Sequence, residues 1–131
     1  MRKVWVNGTF DVLHPGHIKL LQYAWQLGDY VCVGLDTDER IRENKGSDRP
    51  IHTLEDRIFA IRSIKWVNEV VTFGTDDELK DLIQQYSPDI HVIGSDYVNA
   101  THKIIGLGIA KNIVFFDRVG GYSSTRIINN I

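Results

Sequence analysis

Between residues 3 and 27 the chain reads KVWVNGTFDVLHPGHIKLLQYAWQL. Lys3 to Val6 is a short apolar run of strand type, whereas from His17 to Leu27 the apolar residues Ile18, Leu21, Ala24 and Trp25 recur at helical spacing. Gly28 ends that helix. The connecting segment, GTFDVLHPGH from Gly8 to His17, turns through Gly8 and Gly16 and carries two histidines three residues apart. A strand that turns and opens a helix near His17 aims backbone N–H groups and the positive end of the helix dipole at one spot. Two imidazoles beside that spot donate hydrogen bonds to phosphate oxygens and take up a proton next to a polyphosphate. Phosphate chemistry is therefore the first expectation.

The same alternation continues along the chain. Strands are expected at Tyr30–Leu35, Glu69–Phe73, Ile90–Ile93 and Asn112–Phe116, the second nearly continuous in apolar residues and hence central. Thr53 caps a helix expected to run to about Trp66, and Asp76–Tyr86 is helical with Leu79, Leu82 and Ile83 on one face. The polar stretch Asp36 to Pro50 reads as a short helix from Thr37 followed by a mobile segment that contains Lys45. Asp96 to Lys111 is part loop, part helix, and Arg118 to Thr125 a loop leading into a short terminal helix. The pattern predicts an α/β fold, one doubly wound, Rossmann-like domain over residues 1–131, with a five-stranded parallel sheet flanked by helices. In such sheets ligands bind beyond the carboxyl ends of the strands, where three polar loops converge here. No internal repeat, low-complexity tract or interdomain linker interrupts it.

Composition narrows the partners. The chain has 131 residues, is 43% hydrophobic and 24% charged, and carries a formal charge of -2. That balance argues against nucleic acid, whose binders show a basic surplus. The one cysteine, Cys32, lies in the apolar run YVCVGL and reads as a small buried hydrophobe in a reducing compartment. With no signal peptide pattern and no long apolar stretch, a cytoplasmic protein without membrane attachment is expected.

The histidine pair has competing readings. His14 and His17 suit two ligands of a metal on a helix, but no third ligand stands nearby in the sequence, so no protein-held metal is expected. The phosphate reading needs no extra partner: Gly8, Thr9 and Phe10 offer backbone N–H groups and a hydroxyl, while Asp11 braces the turn or meets the substrate. A second group is RVGGYSST, where Arg118 forks onto phosphate oxygens and Ser123, Ser124 and Thr125 present hydroxyls. The plain alternative is an ordinary capped helix. Lys45 reads equally as a solvated loop lysine, and Arg57 and Lys65, eight residues apart on one predicted helix, as surface charges. Gly94, Asp96 and Tyr97 follow the fourth strand, where an acid can position a hydroxyl or a base. The inventory suits transfer of a nucleotidyl group to a phosphate monoester. That reaction needs in-line placement and charge neutralisation by cations, N–H groups and Mg²⁺, not a protein nucleophile. The patterns GxxxxGK[ST] and GxGxxG are both absent.

These residues resemble the cytidylyltransferase-like nucleotidyltransferases, whose hallmark is HxGH after the first strand. GTFDVLHPGHIKLL, QLGDY, the TDE at Thr37 to Glu39, WVNEV at Trp66 to Val70 and the R-x-x-G-x-S-S-T ending fall in that family's order over nearly the whole chain. Within it the likeness is closest to bacterial glycerol-3-phosphate cytidylyltransferases. The resemblance implies that Thr9, Phe10, His14 and His17 bind the triphosphate and that Lys45 contacts nucleotide and substrate phosphate. It also implies that Arg57, Arg118, Ser123, Ser124 and Thr125 complete the phosphate shell, and that Asp96 lies near base or acceptor. His14, His17, Lys45 and Arg118 are then the catalytic set, Lys65 a nucleotide contact, and Asp11 and Tyr97 acceptor contacts. CTP, Mg²⁺, glycerol 3-phosphate and a homodimer follow by the same implication. The segment KGSDRP is more similar to adenylyltransferases that use ATP and heptose 1-phosphate, which is the alternative. Lys65 and Arg118 tilt the expectation to CTP. A non-catalytic nucleotide-binding module is the third reading.

Overall fold

In the computed structural model, residues 1–117 and 125–129 are described. The strands are β1 (Lys3–Gly8), β2 (Tyr30–Asp36), β3 (Glu69–Phe73), β4 (Ile90–Gly94), β5 (Asn112–Phe116) and β6 (Thr125–Asn129). The helices among these residues are α1 (Pro15–Leu27), α2 (Asp38–Lys45), α3 (Leu54–Arg62) and α4 (Asp76–Tyr86). The sheet order is β3-β2-β1-β4-β5-β6. The first five strands run parallel, as the alternating pattern predicts, and each lies where it was expected to within two residues. The order reverses beside β1, which pairs β2 on one side and β4 on the other, so a crevice opens beyond Gly8 and Gly94.

Three expectations are corrected. Thr125–Asn129 is a strand and not a helix: β6 pairs antiparallel with β5, Thr125 opposite Phe116 and Asn129 opposite Asn112. The helical reading rested on local Ser/Thr caps, but the open edge of β5 offers unpaired N–H and C=O groups that a neighbouring strand satisfies. Lys45 is the last residue of α2, closed by Gly46 at φ 107° with its N–H on the Arg42 carbonyl, rather than part of an irregular segment. Helix α3 stops at Arg62, not near Trp66. Ser63 caps it, its hydroxyl donating to the Phe59 carbonyl at 2.8 Å, and turns at Ile64 and Val67 lead into β3.

Each face of the sheet has its own core. Leu20, Leu21 and Ala24 of α1 and Ile61 of α3 pack on Val4, Val6, Val31, Val33, Leu35, Val92, Val114 and Phe116. On the other face α4 brings Leu79 and Ile83 to Trp5, Cys32 and Phe73, and Ile93, Ile113 and Phe115 gather under Val98 and Ile104. Gly34 makes room for Trp5: a Cβ there would lie 2.7 Å from Trp5 Cζ2. Burial pushes the Cys32 thiol up to about 12, Glu69 adding to it, so it acts as a core hydrophobe. No helix among the described residues is long and apolar enough to cross a membrane.

Candidate active site

A cleft of about 820 Å³ opens at the carboxyl edge of the sheet. Its centre is the β1–α1 connection, with Gly8, Thr9, Phe10, Asp11, His14 and His17 in the lining. His14 is the N-cap of α1 and Pro15 its first residue, where a missing N–H costs nothing. The two imidazoles do the capping. His14 Nδ1 accepts from the Gly16 N–H at 3.0 Å, and His17 Nδ1 accepts from the His14 N–H at 3.2 Å. The N–H groups of His17 and Ile18 turn to the His14 carbonyl. The first turn therefore keeps its backbone donors for itself, and the expectation of open N–H groups at the helix start is corrected. What the corner offers instead is imidazole. With Nδ1 an acceptor in both rings, the neutral tautomer carries its proton on Nε2. The rings stack at 3.8 Å between centroids and 29°, and Phe10 lies against His17 at 5.3 Å.

The glycine between the histidines has a steric reason. A Cβ at Gly16 would stand 2.8 Å from His14 Cε1, so any side chain would displace the capping ring. Upstream, Phe10 and Val12 both adopt left-handed backbone, at φ 47° and 50°. For residues of these types such a conformation costs roughly 1–3 kcal/mol each and persists only where the surroundings hold it. Asp11 between them supplies the hold, its carboxylate accepting from the Ile51 N–H at 2.8 Å and the His52 N–H at 2.9 Å. Burial works to raise the Asp11 pKa, but those two hydrogen bonds, together with the nearby His52 and Arg57 charges, outweigh it and the carboxyl lies below its ordinary value. Asp11 thus lines the cleft while bracing the turn.

Arg57 is not a surface charge and not in the lining. It is 1% exposed. Its Nη1 donates to the carbonyls of Thr9 (3.0 Å) and Asp36 (2.8 Å), Nε to the His52 carbonyl (3.2 Å), and Nη2 to Asp38 Oδ1 at 2.6 Å. It ties the ends of β1 and β2 to the starts of α2 and α3, and so frames the cleft instead of reaching a phosphate. Lys65 lies beyond the end of α3, exposed, with its ammonium 5.2 Å from the Trp66 ring. It precedes β3, at the sheet edge opposite the cleft, so the predicted shared face with Arg57 does not form.

Lys45, Gly94 and Tyr97 line the cleft as expected, Tyr97 being 41% exposed. Asp96 sits between Ser95 and Tyr97 on a short 3-10 turn directly after β4. Arg118, Ser123 and Ser124 lie outside the described residues; Thr125 begins β6. Among the lining residues that sequence reasoning missed are Arg40, Asn44, Arg49 and Lys103. Arg40, Arg49 and Lys103 with Lys45 put four cations in a lining whose carboxylates, among the described side chains, are Asp11 and Asp36, although the chain as a whole is acidic. Such a cleft concentrates anions. The spacing of four along DERIRENK puts Arg40 and Asn44 on one helix face, a signal that sequence reasoning did not use; nothing local marks Lys103. His91, 2% exposed on β4, also borders the cleft, and burial lowers its pKa to about 4.

The described residues contain no group of three His, Cys, Asp or Glu side chains placed to hold a metal ion. Mg²⁺ commonly keeps several waters and binds through one or two carboxylates and substrate phosphates, without such a group.

Residues 5–130 match the model of the cytidylyltransferase-like family. The chain belongs to that family. Among curated relatives, the bifunctional protein HldE of Helicobacter pylori is 44% identical over 98% of this chain, and that of Campylobacter fetus 41% over 98%. The chain spans only 27% of the length of either. Among solved structures, a lipopolysaccharide core biosynthesis protein from Thermoplasma volcanium superposes with a TM-score of 0.70 at 32% identity, covering 86% of this chain and 93% of its own. Pantothenate synthetase from Thermus thermophilus shares the fold alone, with a TM-score of 0.54 at 16% identity over 74% of this chain and 48% of its own.

Proposed function

We propose that this chain transfers the adenylyl group of ATP to a heptose 1-phosphate, forming ADP-heptose and releasing pyrophosphate. One observation carries the reaction type: both HxGH histidines line a cleft with four cationic side chains at the carboxyl ends of the strands, each imidazole fixed at Nδ1 by a backbone N–H. An oxygen of the acceptor phosphate attacks the α-phosphorus. The new O–P bond forms as the bond to the bridging oxygen of the β-phosphate breaks, and that electron pair leaves on pyrophosphate. No protein nucleophile and no proton transfer is required; the protein's work is placement and charge stabilisation. His14 and His17 meet the charge that builds on the transferring and leaving phosphates. Lys45 and Arg49 face it from the end of α2 and the loop beyond, and Lys103 from the segment after β4. Mg²⁺ would arrive with the nucleotide, the described residues forming no three-ligand site of their own for it, and would supply further neutralisation. Arg118, Ser123, Ser124 and Thr125 keep their proposed place in the phosphate shell on the sequence pattern alone.

The choice of ATP and heptose over CTP and glycerol 3-phosphate is supported by the HldE relatives and the KGSDRP segment. The tilt toward CTP leaned on Lys65 and Arg118, and Lys65 stands away from the cleft. A homodimer, carried from the family resemblance, stays part of this proposal and is tested by sedimentation.

The test is pyrophosphate release from ATP or CTP with heptose 1-phosphate or glycerol 3-phosphate. Turnover is expected with ATP and the heptose. Turnover confined to CTP and glycerol 3-phosphate overturns the substrate assignment. Tight nucleotide binding without turnover of any acceptor makes the protein a binding module.

A further inference from the structure

Resting on that reading, we propose that Arg40 and Asn44 of α2, with the Asp36 carboxylate, recognise the sugar hydroxyls of the acceptor. The three residues follow one another at intervals of four, Asp36 closing β2 and the other two lying on one face of α2, and all three line the cleft.

Arg40 is held before any ligand arrives. Its Nε donates to Asp36 Oδ2 at 3.0 Å, its Nη2 to Asp76 Oδ1 at 2.7 Å, and its guanidinium carbon lies 5.2 Å from the Phe73 ring centroid. The side chain is 16% exposed, and Nη1 donates to no described residue. A guanidinium fixed on three sides loses little freedom when its remaining N–H groups bind.

The neighbours decide what it binds. Two carboxylates flank the guanidinium, so its charge is already matched, and a phosphate there would meet Asp36 and Asp76 at close quarters. A hydroxyl suits the site better, since it both donates and accepts. Arg40 offers donors, Asp36 an acceptor and the Asn44 amide both, the complement of vicinal hydroxyls. A nucleobase finds its apolar slot across the cleft, where Ile93, Ile104 and Ile105 line the wall near Tyr97. The acceptor sugar therefore extends toward α2 and the nucleoside toward β4, with the histidines between them.

The experiment measures calorimetric binding of heptose 1-phosphate and of ATP, separately, to the wild type, Arg40→Met and Asn44→Ala, together with KM for each substrate. Asn44 is exposed on α2, so its variant folds even where loss of the Arg40 ion pairs lowers the melting temperature of the other. The sugar phosphate is expected to bind roughly tenfold or more weakly to each variant, with ATP affinity held within about twofold. Unchanged affinity for the sugar phosphate in both variants overturns the site, and so does wild-type protein that binds no heptose 1-phosphate. Parallel losses for ATP and sugar phosphate reduce Arg40 and Asn44 to structural roles and overturn it too. Wild-type binding without turnover, weakened in the variants, upholds the site while refuting the adenylyl-transfer reading.

Discussion

His14 and Arg57 belong to the same corner of the fold, and both are residue types that bind phosphate, yet their surroundings are opposite. His14 is exposed, spends one ring nitrogen on the Gly16 N–H and keeps the other for the cleft. Arg57 is buried, and four backbone or carboxylate oxygens from four segments consume its guanidinium. A similar contrast separates His14 from His91, which borders the same cleft but is 2% exposed. A group with a donor left over at the rim serves a ligand. One whose donors are spent inside serves the frame that holds the rim in place.

The largest effect that separates the two classes is expected at Arg57. Arg57→Ala leaves the carbonyls of Thr9, Asp36 and His52 and the Asp38 carboxylate without their donor. It should cost about 3–5 kcal/mol of stability by denaturant unfolding; a loss below about 1 kcal/mol would return Arg57 to the ligand-binding class. His91 should reveal itself through pH. Its folded pKa of about 4 lies below the unfolded 6.5, so the unfolded chain takes the proton first. Its contribution is complete above pH 6.5 and is lost as pH falls toward 4, by up to about 3 kcal/mol. In His91→Leu that part of the slope should vanish; identical slopes for the two proteins between pH 6.5 and 4 would refute the assignment.

At the rim, His14→Ala and His17→Ala are each expected to lower kcat at least ~10²-fold, about 2.7 kcal/mol of barrier. The lost caps should cost only about 1 kcal/mol of stability. Global unfolding as the sole cause of lost turnover, seen by circular dichroism, would place the histidines with Arg57. The smallest effect belongs to Lys65→Ala, which should leave KM for nucleotide unchanged and stability within about 0.5 kcal/mol. A raised nucleotide KM would bring that edge of the sheet back into the site.

Much of the architecture was legible in local pattern. Five strands and the α1 and α4 helices stand where apolar periodicity places them, because burial of one face demands that spacing. The HxGH corner was legible as a strand-to-helix turn carrying two histidines, whereas the reason for its glycine, room for the His14 ring, came from the structure. Other features rest on contacts between distant segments. Whether Arg57 reaches a ligand depends on carbonyls 5 to 48 residues away, and no window along α3 contains them. The end of α3, which carried Lys65 off the expected face, is set by how the chain must enter β3. Thr125–Asn129 became a strand because β5 had an open edge, overriding the helix suggested by its capping residues.

From its own residues the chain determined a parallel α/β sheet and two imidazoles at the first strand–helix turn, since periodicity and capping act over a few residues. Only the tertiary structure decided which polar groups are spent on each other and which face the cleft. That division depends on burial and on partners brought together from far along the chain, where an unpaired buried donor or acceptor is too costly to leave.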